Sequence, residues 1–135
     1  MAAVPTVMVI DDDSDLRAAL GFCLQSEGYD VQLCMNGLDA IDRLDFGVHP
    51  QAIVLDLMMP GMNGLEVLAV LRADPRWWAI PVVVVSVNRG YSAEDLGVAL
   101  VLRKPFDLPD LISALQTVRG RPGSSGRGLQ SAGIS

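Results

Sequence analysis

Short, continuous apolar runs are the sequence feature that most constrains the fold of this 135-residue chain. Three of them are TVMVI at 6–10, AIVLDL at 52–57 and IPVVVVS at 80–86. Such runs are typical of strands that are buried on both faces, as in a parallel sheet covered by helices on both sides. DVQLC at 30–34 alternates as an edge strand does, and ALVL at 99–102 completes a set of five predicted strands.

Amphipathic stretches alternate with these strands and predict five helices. The predicted spans are 14–27, 36–46, 64–73, 92–98 and 108–119, the fourth of them short and weak. Gly28 is placed to end the first helix, and Asn36 and Asn63 are placed to cap the second and third. The alternation implies an α/β fold with a doubly wound parallel sheet, for which we expect the flavodoxin-like strand order 2-1-3-4-5.

The length suits one domain, which we expect to cover residues 1–119. Residues 120–135 are rich in Gly and Ser without apolar periodicity, which predicts a disordered tail or linker. The net charge of −6 argues against a nucleic-acid-binding surface. No apolar run is long enough to span a bilayer and no signal peptide is evident, so we expect a cytoplasmic protein without a membrane partner. Cys23 and Cys34 lack metal-type spacing and are expected to be reduced thiols.

The residues at the carboxyl ends of the predicted strands carry the chemistry, because ligands of open parallel sheets bind there. Asp11 and Asp12 follow the first strand, and Asp56 lies at the end of the third. Strands one and three are neighbours in the expected order, so these carboxylates converge on one crevice. Their mutual repulsion is relieved by a hard cation, and oxygen ligands alone favour Mg²⁺ over Zn²⁺. With the hydroxyl of Ser86 and the ammonium of Lys104, the set predicts a phosphoryl-transfer site with a carboxylate nucleophile.

Other interpretations of single residues remain open. Asp13 and Asp15 are expected to start the first helix through capping and the helix dipole. Asp12 alone could also be a cap, and Lys104 alone could be a solvated lysine. Asp56 is harder to assign to structure, because an unpaired charge in a buried strand is costly.

Further candidates have weaker signals. His49, the only histidine, is expected in a loop. Trp77 and Trp78 cannot easily both enter a core, so one is a candidate for a surface, although packing of this loop on the third helix is preferred. A nucleotide-dependent or hydrolytic enzyme is disfavoured, because neither G-x-G-x-x-G nor G-x-x-x-x-G-K-[ST] occurs.

Four motifs in this order resemble the receiver domains of bacterial two-component response regulators. They are VMVIDDDSDLRAAL, AIVLDLMMPGMNGLEVL, PVVVVS and RKPF, and the resemblance covers residues 4–119. It implies that Asp56 is the phosphoacceptor for a histidine kinase or phosphotransfer protein. The metal ligands it implies for Mg²⁺ are Asp11, Asp12, Asp56 and the backbone carbonyl of Met58.

The resemblance also implies that Ser86 and Lys104 bind the phosphoryl group, and that the bond between Lys104 and Pro105 is cis. It implies a signalling phosphoacceptor rather than an enzyme, one that assists only its own phosphotransfer and dephosphorylation. Output is expected through contact with an unknown downstream protein, and a weak or phosphorylation-dependent dimer is compatible with it.

The chain departs from the family pattern at three points. Val101 stands where Tyr or Phe is usual, Val87 stands where a small residue is preferred, and the segment 86–104 is about one helical turn shorter. A valine cannot swing as an aromatic ring can, so the usual coupling from Ser86 to the output face is in doubt. Tyr91, the aromatic residue nearest to Ser86, is a less favoured substitute. The alternative function is therefore a pseudo-receiver, an interaction module that signals without phosphorylation.

Overall fold

The computed structural model of the protein describes residues 4–87 and 90–119. The predicted tail at 120–135 lies outside these residues. Five strands form one parallel sheet in the order β2-β1-β3-β4-β5, which confirms the predicted flavodoxin-like order. Their spans are β1 Thr6–Ile10, β2 Asp30–Cys34, β3 Ala52–Asp56, β4 Val82–Ser86 and β5 Leu100–Arg103.

Five helices cover the two faces of the sheet, and their spans are α1 Ser14–Ser26, α2 Gly37–Asp45, α3 Gly64–Ala73, α4 Ala93–Leu96 and α5 Leu108–Arg119. Asp13 caps α1 by accepting hydrogen bonds from the backbone N–H groups of Asp15 and Leu16. Asn36 and Asn63 cap α2 and α3 as predicted. The fourth helix has only four residues, which confirms that it is short.

Several predicted boundaries shift by one or two residues. The strand predicted at 80–86 begins at Val82, because Pro81 has no N–H to donate to the ladder. The strand predicted at 52–57 ends at Asp56, and the one predicted at 99–102 runs from Leu100 to Arg103. The helix predicted at 92–98 spans Ala93–Leu96 because Gly97 ends it in the left-handed conformation.

Alternate residues of each strand point to opposite faces and form two hydrophobic layers. Met8, Ile53 and Val84 pack beneath α2 and α3, and Val9, Val54 and Val83 pack beneath α1 and α5. Because β1 and β3 are interior strands of the sheet, their residues are buried through the last position of each strand, except for the partly buried Thr6. The polar residues that follow these strands are therefore attached to the well-packed carboxyl edge of the sheet.

The remaining candidates lie as follows. Trp77 is buried and Trp78 is exposed, as expected of an adjacent pair. His49 is an exposed loop residue. Cys23 and Cys34 are free thiols, and burial raises the pKa of Cys34 to about 12, which keeps it protonated near neutral pH.

Within the described residues, no helix has both the length and the apolar character to cross a membrane.

A close approach of two elements at Gly64 gives a first prediction. A Cβ at Gly64 would lie 2.6 Å from the carbonyl oxygen of Asp56 and 2.6 Å from the Cα of Leu57. Both atoms belong to the main chain, so no rotamer change relieves the clash. Gly64→Ala is therefore expected to lower the free energy of unfolding by about 1–3 kcal/mol, measured by urea denaturation.

Gly21→Ala is the matched control, because its new Cβ would meet only the flexible end of Leu33, at 3.0 Å. Alanine is also preferred to glycine inside a helix by about 1 kcal/mol, which offsets the crowding. Equal losses of stability in the two variants would show that the close approach at Gly64 is not what makes it sensitive.

Candidate functional site

Three carboxylates meet at the carboxyl edge of the sheet. Oxygens of Asp11, Asp12 and Asp56 all lie within 4.8 Å of one another. Asp11 and Asp56 are almost fully buried, whereas Asp12 is exposed. The three acidic residues that were predicted from the sequence to converge on one crevice therefore lie together in the structure.

Local hydrogen bonds fix the two buried carboxylates. The N–H of Asp13 donates to Oδ1 of Asp11 at 2.9 Å, and the N–H of Met58 donates to Oδ1 of Asp56 at 3.0 Å. In each case the acceptor is two residues before the donor, which is the short-range bond that Asp favours in turns. The side-chain orientation of both acids is therefore set by the turn that follows their strand.

Lys104 is the cation that faces this group. Its Nζ lies 3.4 Å from Oδ2 of Asp11 and 3.6 Å from Oδ2 of Asp56. One ammonium cannot balance three carboxylates, so the crevice keeps an excess of negative charge. Burial raises the pKa of Asp56, the N–H of Met58 opposes this shift, and the charge of Asp11 adds to it. The folded protein therefore holds a proton on Asp56 more tightly than the unfolded chain does.

The ends of β4 and β5 supply the other wall. The N–H of Lys104 donates to the carbonyl oxygen of Ser86 at 3.0 Å, and the Lys104–Pro105 bond is cis, as the resemblance implied. Ser86 is fully buried, and the next residue, Val87, lines the cleft and is 63% exposed. The cleft measures about 280 Å³, and Asp12, Met58 and Lys104 also line it.

Arg17 is a residue of the site that sequence reasoning missed. Its guanidinium donates to the carbonyl oxygen of Asp11 at 2.7 Å, which ties α1 to the turn that carries the acidic pair. An arginine in the second turn of an amphipathic helix resembles an ordinary solvated residue. Only the tertiary fold shows where its side chain ends.

The donor set has the chemistry of a hard-cation site. The clustered side-chain donors are all carboxylate oxygens, and Mg²⁺ prefers oxygen ligands. Met58 lies at the cleft, which is where its carbonyl would have to be to join them. These residues therefore fit the predicted metal.

Comparison with known proteins gives a consistent result. A family model described as the response regulator receiver domain matches residues 7–116. Response regulator MprA of Mycobacterium sp. (strain KMS) is 35% identical over 119 residues, which are 85% of this chain and 50% of that protein. The chain thus spans about half the length of the curated relatives it matches.

Solved structures show the same likeness. A response regulator receiver protein from Pseudomonas putida is 31% identical with a TM-score of 0.76, covering 87% of this chain and 99% of the other. The chemotaxis protein CheY4 of Vibrio cholerae is 25% identical with a TM-score of 0.78, covering 86% and 99%.

The raised pKa of Asp56 makes stability depend on pH. The contribution of Asp56 to stability is fully present below the ordinary carboxyl pKa of about 3.9, and it is lost as pH rises through the raised folded value. Asn does not titrate. Asp56→Asn is therefore expected to be more stable than wild type at pH 7 without divalent cations, with a difference that opens through this pH window and is constant above it.

Urea unfolding between pH 4 and pH 8 in the presence of a chelator measures this difference. Asp42→Asn on the exposed side of α2 is the control, and it is expected to follow wild type across the range. An Asp56→Asn variant that is less stable than wild type at pH 7 would contradict the assignment of a destabilising charge to this position.

Proposed function

This chain belongs to the family of response regulator receiver domains, and we propose that it is a signalling switch activated by phosphorylation of Asp56. The proposal rests on one observation. Three carboxylates from adjacent strands lie close together and face the ammonium of one lysine. Structural acids alone give no reason for this excess of buried negative charge. Phosphoryl transfer onto a carboxylate requires this combination of nucleophile, cation and metal ligands.

The phosphoryl donor is the phosphohistidine of a sensor histidine kinase or phosphotransfer protein. A carboxylate oxygen of Asp56 attacks the phosphorus, an O–P bond forms, and the N–P bond of the phosphohistidine breaks. The imidazole nitrogen leaves with the electron pair of that bond and takes up a proton from solvent. The N–H of Met58 holds the attacking carboxylate in place, because it is bound to Oδ1.

Lys104 and a metal ion held by the acidic residues would balance the negative charge of the transferred phosphoryl group. Lys104 donates to its oxygens, since its Nζ already lies 3.6 Å from Asp56 Oδ2. Asp11, Asp12, Asp56 and the carbonyl of Met58 would hold Mg²⁺. Such an ion supplies charge neutralisation at the phosphoryl oxygens.

Phosphorylation acts by shifting the population between two conformations of the domain, and no product is released. The phosphorylated Asp56 recruits the hydroxyl of Ser86 and the ammonium of Lys104, which biases the neighbouring surface toward one of two arrangements. The domain, residues 1–119, acts in the cytoplasm by contact with a downstream protein, and a weak or phosphorylation-dependent dimer is compatible with this. Its own part in the chemistry is limited to its phosphorylation and dephosphorylation.

A phosphorylation-independent module is the less supported function. Val87, Val101 and the short fourth helix depart from the family pattern, but they leave the charged set of Asp11, Asp56 and Lys104 intact. A module without phosphoryl chemistry would gain stability by losing the buried carboxylate.

Incubation with acetyl phosphate and Mg²⁺ tests the proposal. Intact-mass spectrometry is expected to show the added mass of one phosphoryl group, and peptide mapping is expected to place it on Asp56. Asp56→Asn is expected to give no adduct, and the control Asp42→Asn is expected to give the wild-type yield. Failure of wild type to form the adduct, or an adduct that survives in Asp56→Asn, would contradict the proposed function.

A further inference from the structure

Arg17 binds the main chain of the acidic turn. Its Nη1 donates to the carbonyl oxygen of Asp11 at 2.7 Å. Four aspartates lie between positions 11 and 15, yet the Arg17 guanidinium forms no ion pair with any residue that the structure describes. A guanidinium matches the geometry of a carboxylate well, so the choice of a carbonyl among so many acids is informative. It indicates that Arg17 holds the backbone of the turn.

This bond fixes the peptide plane between Asp11 and Asp12. The carbonyl of Asp11 lies in one plane with the N–H and the Cα of Asp12. The bond is short and its donor is charged, which makes it stronger than a hydrogen bond between neutral groups. Arg17 is itself anchored in α1, whose first turn is capped by Asp13. The orientation of the Asp12 backbone is thereby set from α1.

Asp12 has less support of its own than the other two acids. The carboxylates of Asp11 and Asp56 each accept from a backbone N–H and lie near the ammonium of Lys104. The Asp12 carboxylate is exposed and accepts no hydrogen bond from residues 4–87 and 90–119. Its place within 4.8 Å of the other two therefore depends on the main chain that carries it.

Charge and positioning predict opposite effects of Arg17 on Mg²⁺ binding. A positive charge near the crevice repels a divalent cation, so its removal would strengthen binding if charge were the whole effect. Loss of a group that orients a metal ligand weakens binding, typically by about 10–100-fold. The sign of the change in Mg²⁺ affinity therefore separates the two effects.

We propose that Arg17 is a positioning residue of the Mg²⁺ site, which holds Asp12 toward Asp56 by fixing the peptide between Asp11 and Asp12. This inference rests on the proposed function, because the Mg²⁺ site is part of it. Arg17 acts through the main chain and not by contact with the cation. It reduces the loss of conformational freedom that Asp12 undergoes when the cation binds, and this effect outweighs the repulsion from its charge.

The Mg²⁺ affinity of Arg17→Met tests the inference. Methionine keeps a long, unbranched side chain that suits a helix, but it has neither the charge nor the donors of arginine. The affinity is measured at constant ionic strength by displacement of Mn²⁺, with free Mn²⁺ followed by electron paramagnetic resonance, which requires no phosphorylation. Arg17→Met is expected to bind Mg²⁺ about tenfold more weakly than wild type.

Arg43→Met is the control for the loss of a positive charge. Burial raises the pKa of Cys34 at the end of β2, and the charges of Arg43 and Arg17 both oppose this shift, so both guanidinium groups act electrostatically on this end of the strand. Arg43 bonds to Asp39 and Gln32 rather than to the acidic turn. Its replacement is expected to leave Mg²⁺ affinity unchanged or slightly higher. An equal loss of affinity in Arg43→Met and Arg17→Met would overturn the inference.

Arg17→Gln is a second uncharged variant, and its amide nitrogen ends two atoms short of the Nη1 position. It is expected to lose Mg²⁺ affinity in the same direction. Circular dichroism identifies the variants that fold, and wild-type or tighter Mg²⁺ binding in either folded variant would overturn the inference, even if that variant melts at a lower temperature. In that case the metal site itself stands. If wild type does not bind Mn²⁺ or Mg²⁺, the metal site of the proposed function fails and the role of Arg17 fails with it.

Discussion

The repulsion between Asp11, Asp12 and Asp56 is the constraint on which the site depends. Two unit charges about 4 Å apart at an effective dielectric constant of about 20 repel by roughly 4 kcal/mol, which is comparable to the whole stability of a small domain. The sheet holds these charges together because β1 and β3 are adjacent, buried and closely packed. Lys104 relieves part of the repulsion, and the turns after each strand hold the carboxylates in place. The remaining negative charge favours a bound cation.

Two of the departures from the family pattern, Val101 and the short α4, do not line the acidic cleft, whereas the third, Val87, does. Val101 lies in β5 and is partly buried against the core. The short α4 is held by partly buried side chains and by Arg72, which is a weaker attachment than that of the other helices.

Much of the fold and most of the site residues could be predicted from the sequence, because they depend on local patterns. The apolar runs fixed five strands, and the capping roles of Asp13, Asn36 and Asn63 follow from residues next to the helix starts. Asp56 was recognisable because a charge inside a buried strand has no ordinary structural role. The bond from Arg17 to Asp11 joins residues from separate elements, and no local pattern encodes such a contact. The start of β4 was misplaced because Ile80 continues the apolar run, whereas the ladder depends on hydrogen bonds that Pro81 cannot donate.

The melting temperature as a function of Mg²⁺ concentration tests the central claim most directly. A ligand that binds only the folded state raises stability with the logarithm of its concentration. At pH 7 and constant high NaCl, wild type and Asp15→Ala are predicted to show this rise, and Asp12→Ala, which removes an equal charge three residues away, is predicted to show little or none. A wild type that does not respond to Mg²⁺, or two variants that respond alike, would contradict the account of the acidic crevice.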